Sequence, residues 1–512
     1  MRIAAWALGA CAVLACAAPA LAVDRSLGAG VPKPVVTGAP WTEAEISALA
    51  ANVDIALASG KALRGAHTGI YAIDARDGRV LYERNQDDAF QPGSTLKLLV
   101  GSAALDKLGR EFRFRTQATI ENVVEAGVLR GSLTLRGTGD VLLNDADLAG
   151  LPAALRGAAI AEVEQDVVPD PNDVPYYLPG WSWDDFPWYY AAPISALGFA
   201  DDQVTVTVRP GAQAGDPVTT SVEPWGRTYT DPGEACVPRE MSFCIIVRAR
   251  TAAPGSRSTL DAVRTDAPPG VQIVGTIAAD AKPEHLSLAV PDPPRFAAAA
   301  ARRALLAAGI PVRGRGPVAE LRRGDGTAPR RVVWSHDSEP LPDLLADMLL
   351  PSDNMLAETL LRALGAHPPA TYGSSGDGIA FEKSWLRTLG VDVDAIAIDD
   401  GSGLSTYSRI TPHDLVTVLK HDWDGPNRDV VLDALPIAGV RGTLESDYTG
   451  TPAEKKIFAK TGTLSHVSTL AGYAANAKHG AVIFAFLVGD SVGGSAALSD
   501  VRGRVLARFV QG

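Results

Sequence analysis

The sequence has few cysteines and no pattern that is typical of a metal or phosphate site. It contains 4 cysteines and 8 histidines among 512 residues, and no histidine lies in an H-E-x-x-H pattern. No glycine-rich phosphate-binding loop is present. These absences disfavour a zinc peptidase and a nucleotide-dependent enzyme. We therefore expect neither a metal nor an organic cofactor.

The sequence also lacks an excess of positive charge and, beyond its first residues, a long apolar run. A net charge of -12 and a pI near 5.2 argue against nucleic acid as the main partner. No later segment reaches the ~18 apolar residues that a membrane-spanning helix needs. The composition, 46% hydrophobic and 21% charged, is that of a globular protein, and the length suggests roughly two to four domains.

Residues 1–22 are typical of a cleavable signal peptide. A positively charged start is followed by an alanine-rich apolar run, and Ala20-Leu21-Ala22 fits a small-x-small cleavage site. We expect the mature chain to begin at Val23 and to be exported. A membrane anchor and a lipoprotein signal at Cys11 or Cys16 are the alternatives.

The other two cysteines are Cys236 and Cys244, eight residues apart. An oxidising compartment favours a disulfide bond between them, and two free thiols are the alternative.

The hydrophobic pattern differs between the ends and the middle of the chain. Two strands flank the turn at 74–78, a helix runs from Ser94 to about Leu108, and further helices are predicted near 341–350, 352–364, 381–389, 411–421 and 496–510. Three strands, near 457–464, 468–475 and 481–488, precede the last helix. Residues 23–110 and 322–512 are thus predicted to form one α/β domain built from both ends of the chain.

The middle of the chain, residues 111–321, contains many short strand-like runs separated by turn residues. We interpret it as an inserted β-rich region, with two domains of which the second is nested at about 133–190.

The first motif with chemical potential is Ser94-x-x-Lys97, at the start of an apolar helix. Side chains three residues apart lie on the same face of a helix, so a neutral lysine amine can act as the base of the serine hydroxyl. The alternative is a helix-capping serine followed by a solvated lysine.

Two further motifs follow in the second part of the chain. Ser352-Asp353-Asn354 begins an apolar helix, where simple helix capping is the alternative. Lys460-Thr461-Gly462-Thr463 lies within a predicted strand, where a lysine that protects a sheet edge is the alternative. A glycine at this point allows another part of the molecule to approach the strand backbone closely.

Together the three motifs form the S-x-x-K, S-D-N and K-T-G set of penicillin-binding proteins and class A β-lactamases. In this interpretation Ser94 is the nucleophile and Lys97 its base, while the charge of Lys460 depresses the pKa of Lys97. Ser352 relays a proton to the leaving amine, and Asn354 holds Lys97 or a substrate amide.

The third motif also supplies binding groups. The backbone N–H groups of Ser94 and Thr463 would form the oxyanion hole, next to Gly462. Lys460 and Thr461 would bind a terminal carboxylate.

The chain resembles the low-molecular-mass class C penicillin-binding proteins, the D-alanyl-D-alanine carboxypeptidase/endopeptidases of the penicillin-binding protein 4 type. About 250 residues separate the first two motifs, a gap that this family fills with two β-rich domains. The resemblance implies an antiparallel transpeptidase-like sheet flanked by helices. The segments that carry it are 179–185, 192–197, 353–358, 399–405 and 435–444.

The resemblance also implies that Asp185 and Tyr190 hold the amino group of the substrate's diaminopimelate side chain, although a packed tryptophan-rich loop is the alternative. Some relatives carry an arginine and a glutamine where this chain has Thr406 and Ser465. The catalytic set is intact, and only the side-chain preference is left open.

We therefore predict a periplasmic serine DD-peptidase that hydrolyses the D-alanyl-D-alanine ends or the cross-links of peptidoglycan stem peptides and is acylated by β-lactams. Peripheral association with the membrane or the cell wall is compatible with this function. The alternatives are a β-lactamase-like hydrolase and a non-catalytic cell-wall binding protein.

Overall fold

The structure is a computed structural model that describes residue 24 and residues 27–28, 30–230, 241–266, 269–314, 330–367 and 372–511. The predicted signal peptide and Cys236 lie outside the described residues, so the disulfide stays a prediction. Cys244 is fully buried at the start of a strand.

The described residues contain ten α-helices. Their bounds are α1 Glu43–Ala58, α2 Lys97–Leu108, α3 Leu151–Gly157, α4 Pro293–Ala307, α5 Leu341–Leu349, α6 Asn354–Leu364, α7 Ser375–Thr388, α8 Pro412–Asp424, α9 Arg428–Ala434 and α10 Ser495–Gln511.

The same residues contain 21 strands. Their bounds are β1 His67–Asp74, β2 Val80–Arg84, β3 Arg115–Ile120, β4 Val124–Glu125, β5 Val128–Leu129, β6 Leu133–Gly137, β7 Glu162–Val163, β8 Val167–Pro169, β9 Gln203–Arg209, β10 Thr219–Glu223, β11 Thr228–Tyr229, β12 Cys244–Val247, β13 Arg250–Ala252, β14 Asp261–Asp266, β15 Pro269–Val274, β16 Thr276–Ala278, β17 Glu284–Ala289, β18 Arg331–Asp337, β19 Ile457–Leu464, β20 Val467–Asn476 and β21 Gly480–Gly489.

The central sheet has five antiparallel strands in the order β19-β20-β21-β1-β2. The predicted hairpin near the start of the chain thus joins the three predicted strands near its end, with Ile70 opposite Phe486. This arrangement confirms the predicted antiparallel sheet with strands from both ends of the chain.

Helices cover both faces of this sheet. Phe484 and Phe486 of β21 belong to one hydrophobic cluster together with residues of α1 and α10. Ile483, Ala485 and Leu487 alternate with them and belong to a second cluster with α2, α5, α6 and α8. Because successive side chains of a strand point to opposite faces, the nearly continuous apolar run of β21 is buried from both sides.

The region between the two halves of this sheet is rich in short strands, as predicted. Strands β3 to β17 form five smaller sheets, of two to four strands each, together with β18. Strand β18 lies after residue 322, the predicted end of the insertion, and pairs with β3. The domain boundaries stay a prediction.

Helix α7 begins six residues before its predicted start. Its first turn contains Gly376 and Gly378, and glycine is unfavourable inside a helix, so this turn was not predicted to be helical. Gly378 is buried where α7 crosses α6, and a β-carbon added there would lie 2.1 Å from the Leu361 oxygen. This glycine thus permits close helix packing instead of ending a helix. Helix α9 was not predicted at all.

Substituting Gly378→Ala should destabilise the protein by about 1–3 kcal/mol, because the added methyl group overpacks the crossing of α6 and α7. The measurement is the free energy of unfolding in a denaturant titration. Gly376→Ala is the matched control: its added carbon would meet nothing closer than the Ser374 Oγ atom at 3.7 Å. The control should be neutral or stabilising by up to about 1 kcal/mol. Equal stability of the two variants would contradict the packing role.

Candidate active site

Ser94 lies in a short 3-10 turn, Gly93–Leu96, that leads directly into α2. The turn packs against β19. Gly93 has a φ of +51°, and a β-carbon added to it would lie 3.2 Å from the Thr463 nitrogen. The backbones of Ser94 and Thr463 are therefore neighbours, as the predicted oxyanion hole requires.

Lys97 is fully buried and makes three hydrogen bonds through its amine. Its Nζ atom donates to Ser94 Oγ at 2.8 Å, to Asn354 Oδ1 at 2.6 Å and to the Ser402 carbonyl oxygen at 2.9 Å. This geometry contradicts the alternative of a capping serine followed by a solvated lysine.

Burial lowers the pKa of Lys97 from its ordinary value to about 8. The negative charges of Asp353, Asp400 and Glu358 act in the opposite direction and favour the charged amine. The prediction that Lys460 depresses this pKa was wrong about the cause, since loss of water is the effect that lowers it. Burial, and then the charge of Lys97, also hold the pKa of Lys460 well below its ordinary value.

The three residues of the second motif differ in their contacts and backbone geometry. Asp353 caps α6 by accepting a hydrogen bond from the Leu356 nitrogen at 3.0 Å. The alternative of simple helix capping therefore holds for Asp353 only. Asn354 accepts from Lys97 and donates through Nδ2 to the Tyr190 carbonyl oxygen at 2.8 Å. Ser352 has a φ of +70°, which is costly for a residue with a side chain.

The third motif lies on β19 at the edge of the central sheet. Lys460 is fully buried and donates to the Thr461 carbonyl oxygen at 2.8 Å, so it does not protect the sheet edge by keeping a charge in water. A β-carbon added at Gly462 would lie 2.9 Å from the Ser94 nitrogen and 2.7 Å from the Pro92 oxygen. The glycine thus permits the close approach that its position in a strand predicted.

Glu358 and Asp400 are two buried acids near Lys97 for which no role was predicted from the sequence. Glu358 accepts from the Gly401 nitrogen at 3.0 Å and from the Ser402 nitrogen at 2.7 Å. Asp400 accepts from the Ser405 nitrogen at 2.6 Å and from Trp181 Nε1 at 3.1 Å. These bonds fix the loop that presents the Ser402 carbonyl oxygen to Lys97.

A signal for these acids existed in the sequence. Glu358 interrupts an otherwise apolar helix face, and Asp400 belongs to one of the segments that carried the family resemblance. Burial and the neighbouring negative charge of Asp400 raise the pKa of Glu358 to about 8.

Asp185 and Tyr190 lie together beside this site. The Tyr190 hydroxyl donates to Asp185 Oδ1 at 2.9 Å, and burial raises the pKa of the Asp185 carboxyl. Both side chains are half-buried, and the backbone of Tyr190 contacts Asn354. Their role in recognition stays a prediction.

The two departures from the family pattern lie at the surface. Thr406 is exposed, and its hydroxyl donates to the Gly180 carbonyl oxygen at 3.0 Å. Ser465 is exposed in the turn between β19 and β20.

Neither a metal centre nor a membrane span is found in the part of the chain that the structure describes. No group of three or more histidine, cysteine, aspartate or glutamate residues there could hold a metal ion. No helix there combines the length and the apolar content needed to cross a bilayer.

Comparison with known proteins finds similarity over most of the chain. The model of the D-Ala-D-Ala carboxypeptidase 3 (S13) family matches residues 49–506. A D-alanyl-D-alanine carboxypeptidase from an Actinomadura species is 31% identical over 448 residues, which cover 84% of this chain and 79% of the relative. The D-alanyl-D-alanine carboxypeptidase DacB of Haemophilus influenzae is 28% identical over 455 residues, which cover 86% and 90%.

Two solved structures are also similar to this chain over most of its length. The crystal structure of penicillin binding protein 4 from Haemophilus influenzae has a TM-score of 0.76 at 25% identity and covers 91% of this chain and 99% of its own. A structure of the same protein complexed with a β-lactam has a TM-score of 0.72 at 25% identity and covers 90% and 100%.

Removing the Glu358 carboxyl should disturb the position of Lys97. Glu358→Ala leaves the Gly401 and Ser402 N–H groups without their acceptor, and one unpaired buried donor costs about 1–3 kcal/mol. We expect the rate at which labelled penicillin acylates the protein to fall by about tenfold or more. Glu358→Gln keeps one carbonyl acceptor and should restore much of that rate. If both variants react like the unmodified protein, the loop does not position Lys97.

Proposed function

We propose, from the premise that the chain belongs to the D-Ala-D-Ala carboxypeptidase 3 (S13) family and is a serine DD-peptidase, that Ser94 is its nucleophile and Lys97 its base. The predicted resemblance and fold class are confirmed by the same comparisons. The observation that carries the proposal is the 2.8 Å hydrogen bond between Lys97 Nζ and Ser94 Oγ. A buried amine at this distance can remove the hydroxyl proton directly.

The proposed reaction has two halves. In the first, neutral Lys97 takes the proton of Ser94 as Oγ attacks the carbonyl carbon of the scissile D-alanyl bond, and the backbone N–H groups of Ser94 and Thr463 stabilise the oxyanion. The C–N bond then breaks, and Ser352 relays the proton to the leaving amine. In the second half, water attacks the acyl-enzyme, releases the shortened peptide as a carboxylate and regenerates Ser94.

The binding groups suit a peptide end with a free carboxylate. Lys460 and Thr461 are the proposed partners of that carboxylate, and Gly462 lets the strand approach Ser94. Asp185 and Tyr190 are the proposed partners of an ammonium group on the substrate side chain, because one supplies a carboxyl group and the other an aromatic ring.

The cellular setting follows from the same function. Peptidoglycan stem peptides are the proposed substrates, and β-lactams the proposed acylating inhibitors, in keeping with the β-lactam complex of the Haemophilus influenzae protein. We propose export to the periplasm through the signal peptide at 1–22, with a disulfide between Cys236 and Cys244. We further propose a peptidase domain formed by 23–110 and 322–512, around an insertion at 111–321.

The test of the proposal is Ser94→Ala. This variant should lose labelling by fluorescent penicillin and all release of D-alanine from purified monomeric muropeptides, because no other group replaces the nucleophile. Mass spectrometry of monomeric and cross-linked muropeptides measures the products. Ser256→Ala, which removes an exposed hydroxyl in a surface turn, is the control and should retain labelling. Unchanged activity of Ser94→Ala would refute the assignment.

The pH dependence of acylation tests the base. Because the pKa of Lys97 is about 8, the neutral amine becomes more abundant as pH rises through that value. We expect the penicillin acylation rate to increase by up to about tenfold between pH 7 and pH 9. Stopped-flow fluorescence gives the rate, and circular dichroism at each pH shows that the protein stays folded. A profile that is flat over this range is incompatible with Lys97 as a neutral base.

A further inference from the structure

The loop that carries Asp185 and Tyr190 begins and ends at one point of the fold. Tyr176 and Ile194 pair through two backbone hydrogen bonds, of 3.2 Å from the Tyr176 nitrogen and 2.8 Å from the Ile194 nitrogen. We call residues 177–193 the recognition loop, because the proposed partners of the substrate ammonium lie in it. Since its two ends are fixed, its conformation between them depends on contacts with neighbouring segments.

The recognition loop lies between the proposed catalytic residues and the β-rich middle of the chain. On one side, the Asn354 amide donates to the Tyr190 carbonyl oxygen at 2.8 Å. On the other side, the nitrogen of Ala289, the last residue of β17, donates to the Pro187 carbonyl oxygen at 2.9 Å. The β-rich middle of the chain therefore takes part in holding this loop.

One side chain from the middle of the chain also contacts the aromatic rings of the recognition loop. Arg264 lies on β14, and its Nη1 atom donates to the Tyr177 hydroxyl. The central carbon of its guanidinium lies 4.9 Å from the centre of the Tyr177 ring and 5.8 Å from the centre of the Phe186 ring. The Arg264 side chain is only 20% exposed. Cation–π attraction is stronger at such a partly dehydrated position than at the open surface.

The two rings connect Arg264 to Asp185. Tyr177 and Phe186 are stacked, with their ring centres 3.9 Å apart and an angle of 21° between their planes. Phe186 directly follows Asp185 and ends the short 3-10 turn Trp183–Asp185. A displacement of the Phe186 ring would therefore move the backbone that carries the Asp185 carboxyl.

We propose that Arg264 is a positioning residue for the ammonium site, which holds the Tyr177–Phe186 stack and thereby fixes the Asp185 carboxyl; this inference rests on the proposed function. The contacts of Arg264 are with the ring stack and not with the nucleophile or its base. Arg264 thus acts on the choice of substrate and not on the acylation chemistry. The substrates it favours are stem peptides whose branching side chain carries a free ammonium, as diaminopimelate does.

The test compares two substrates in the full-length protein. One is a purified monomeric muropeptide with its free diaminopimelate amine, and the other is the same muropeptide with that amine acetylated. Arg264→Ala should lower kcat/KM for D-alanine release from the free-amine form at least about fivefold, mainly through a higher KM. The kcat/KM for the acetylated form and the rate of acylation by penicillin should stay within about twofold of the unmodified protein.

Two further variants refine this comparison. Arg264→Lys keeps a cation beside the rings but loses the planar fork that reaches both the ring and the hydroxyl. It should show a smaller loss of the same kind, so the test stands even if Arg264→Ala does not fold. Arg257→Ala is the matched control, because it removes an exposed arginine from a surface loop of the same part of the chain. This control should leave all three rates unchanged.

A double-mutant cycle with Asp185→Ala tests whether Arg264 acts through that carboxyl. Asp185→Ala alone should abolish the preference for the free-amine substrate. Adding Arg264→Ala should then cause no further loss, because the group that Arg264 positions is already absent.

The outcomes separate this inference from the proposed function. Equal losses on the two substrates, no loss on either, or additive losses in the double variant would overturn the role of Arg264. Equal cleavage of both substrates by the unmodified protein would overturn it as well, and would leave the assignment of Ser94 intact. If the unmodified protein is neither acylated by penicillin nor active on either substrate, the proposed function itself fails.

Discussion

The burial of one lysine amine is the constraint on which the rest of the structure depends. Removing an ammonium group from water costs several kcal/mol unless its hydrogen bonds are replaced. Around Lys97 they are replaced by three acceptors, two of which lie 257 and 305 residues later in the chain. The lysine is held in place only when these distant segments pack against α2. The same loss of water brings its pKa to about 8, where a neutral amine is accessible.

The central sheet provides the strand β19, whose backbone approaches Ser94 closely. Strands β1 and β2 precede Ser94, the proposed nucleophile, and β19 to β21 lie near the end of the chain, yet all five form one antiparallel sheet. Gly93 and Gly462 allow the turn and β19 to contact each other through their backbones, where side chains would separate them. Of the two proposed oxyanion donors, the Thr463 N–H group is therefore positioned by the hydrogen bonds of the sheet, and the Ser94 N–H group by the turn that packs against β19.

Much of this arrangement could be predicted from the sequence. The apolar periods identified the strands and most helices of the central domain, and the three motifs identified the residues that meet at the site. The cause of the low pKa of Lys97 could not be predicted, since burial depends on packing between segments far apart in the chain. The start of α7 was predicted too late because its first turn contains glycines. Gly378 permits a close helix crossing, and this contact cannot be predicted from the local sequence. The support given by Glu358 to the 401–402 backbone was missed for the same reason.

The contact between Asn354 and the Tyr190 backbone has a consequence for how such enzymes can change their specificity. The amide of Asn354 joins Lys97 on one side to the carbonyl oxygen of Tyr190 on the other. The segment that carries Asp185 and Tyr190 therefore cannot be exchanged freely, because its backbone also orients the amide that contacts Lys97, the proposed base. New side-chain preferences can arise here by substitution at the surface of the segment, whereas an insertion or deletion that shifts its backbone would weaken catalysis for every substrate alike.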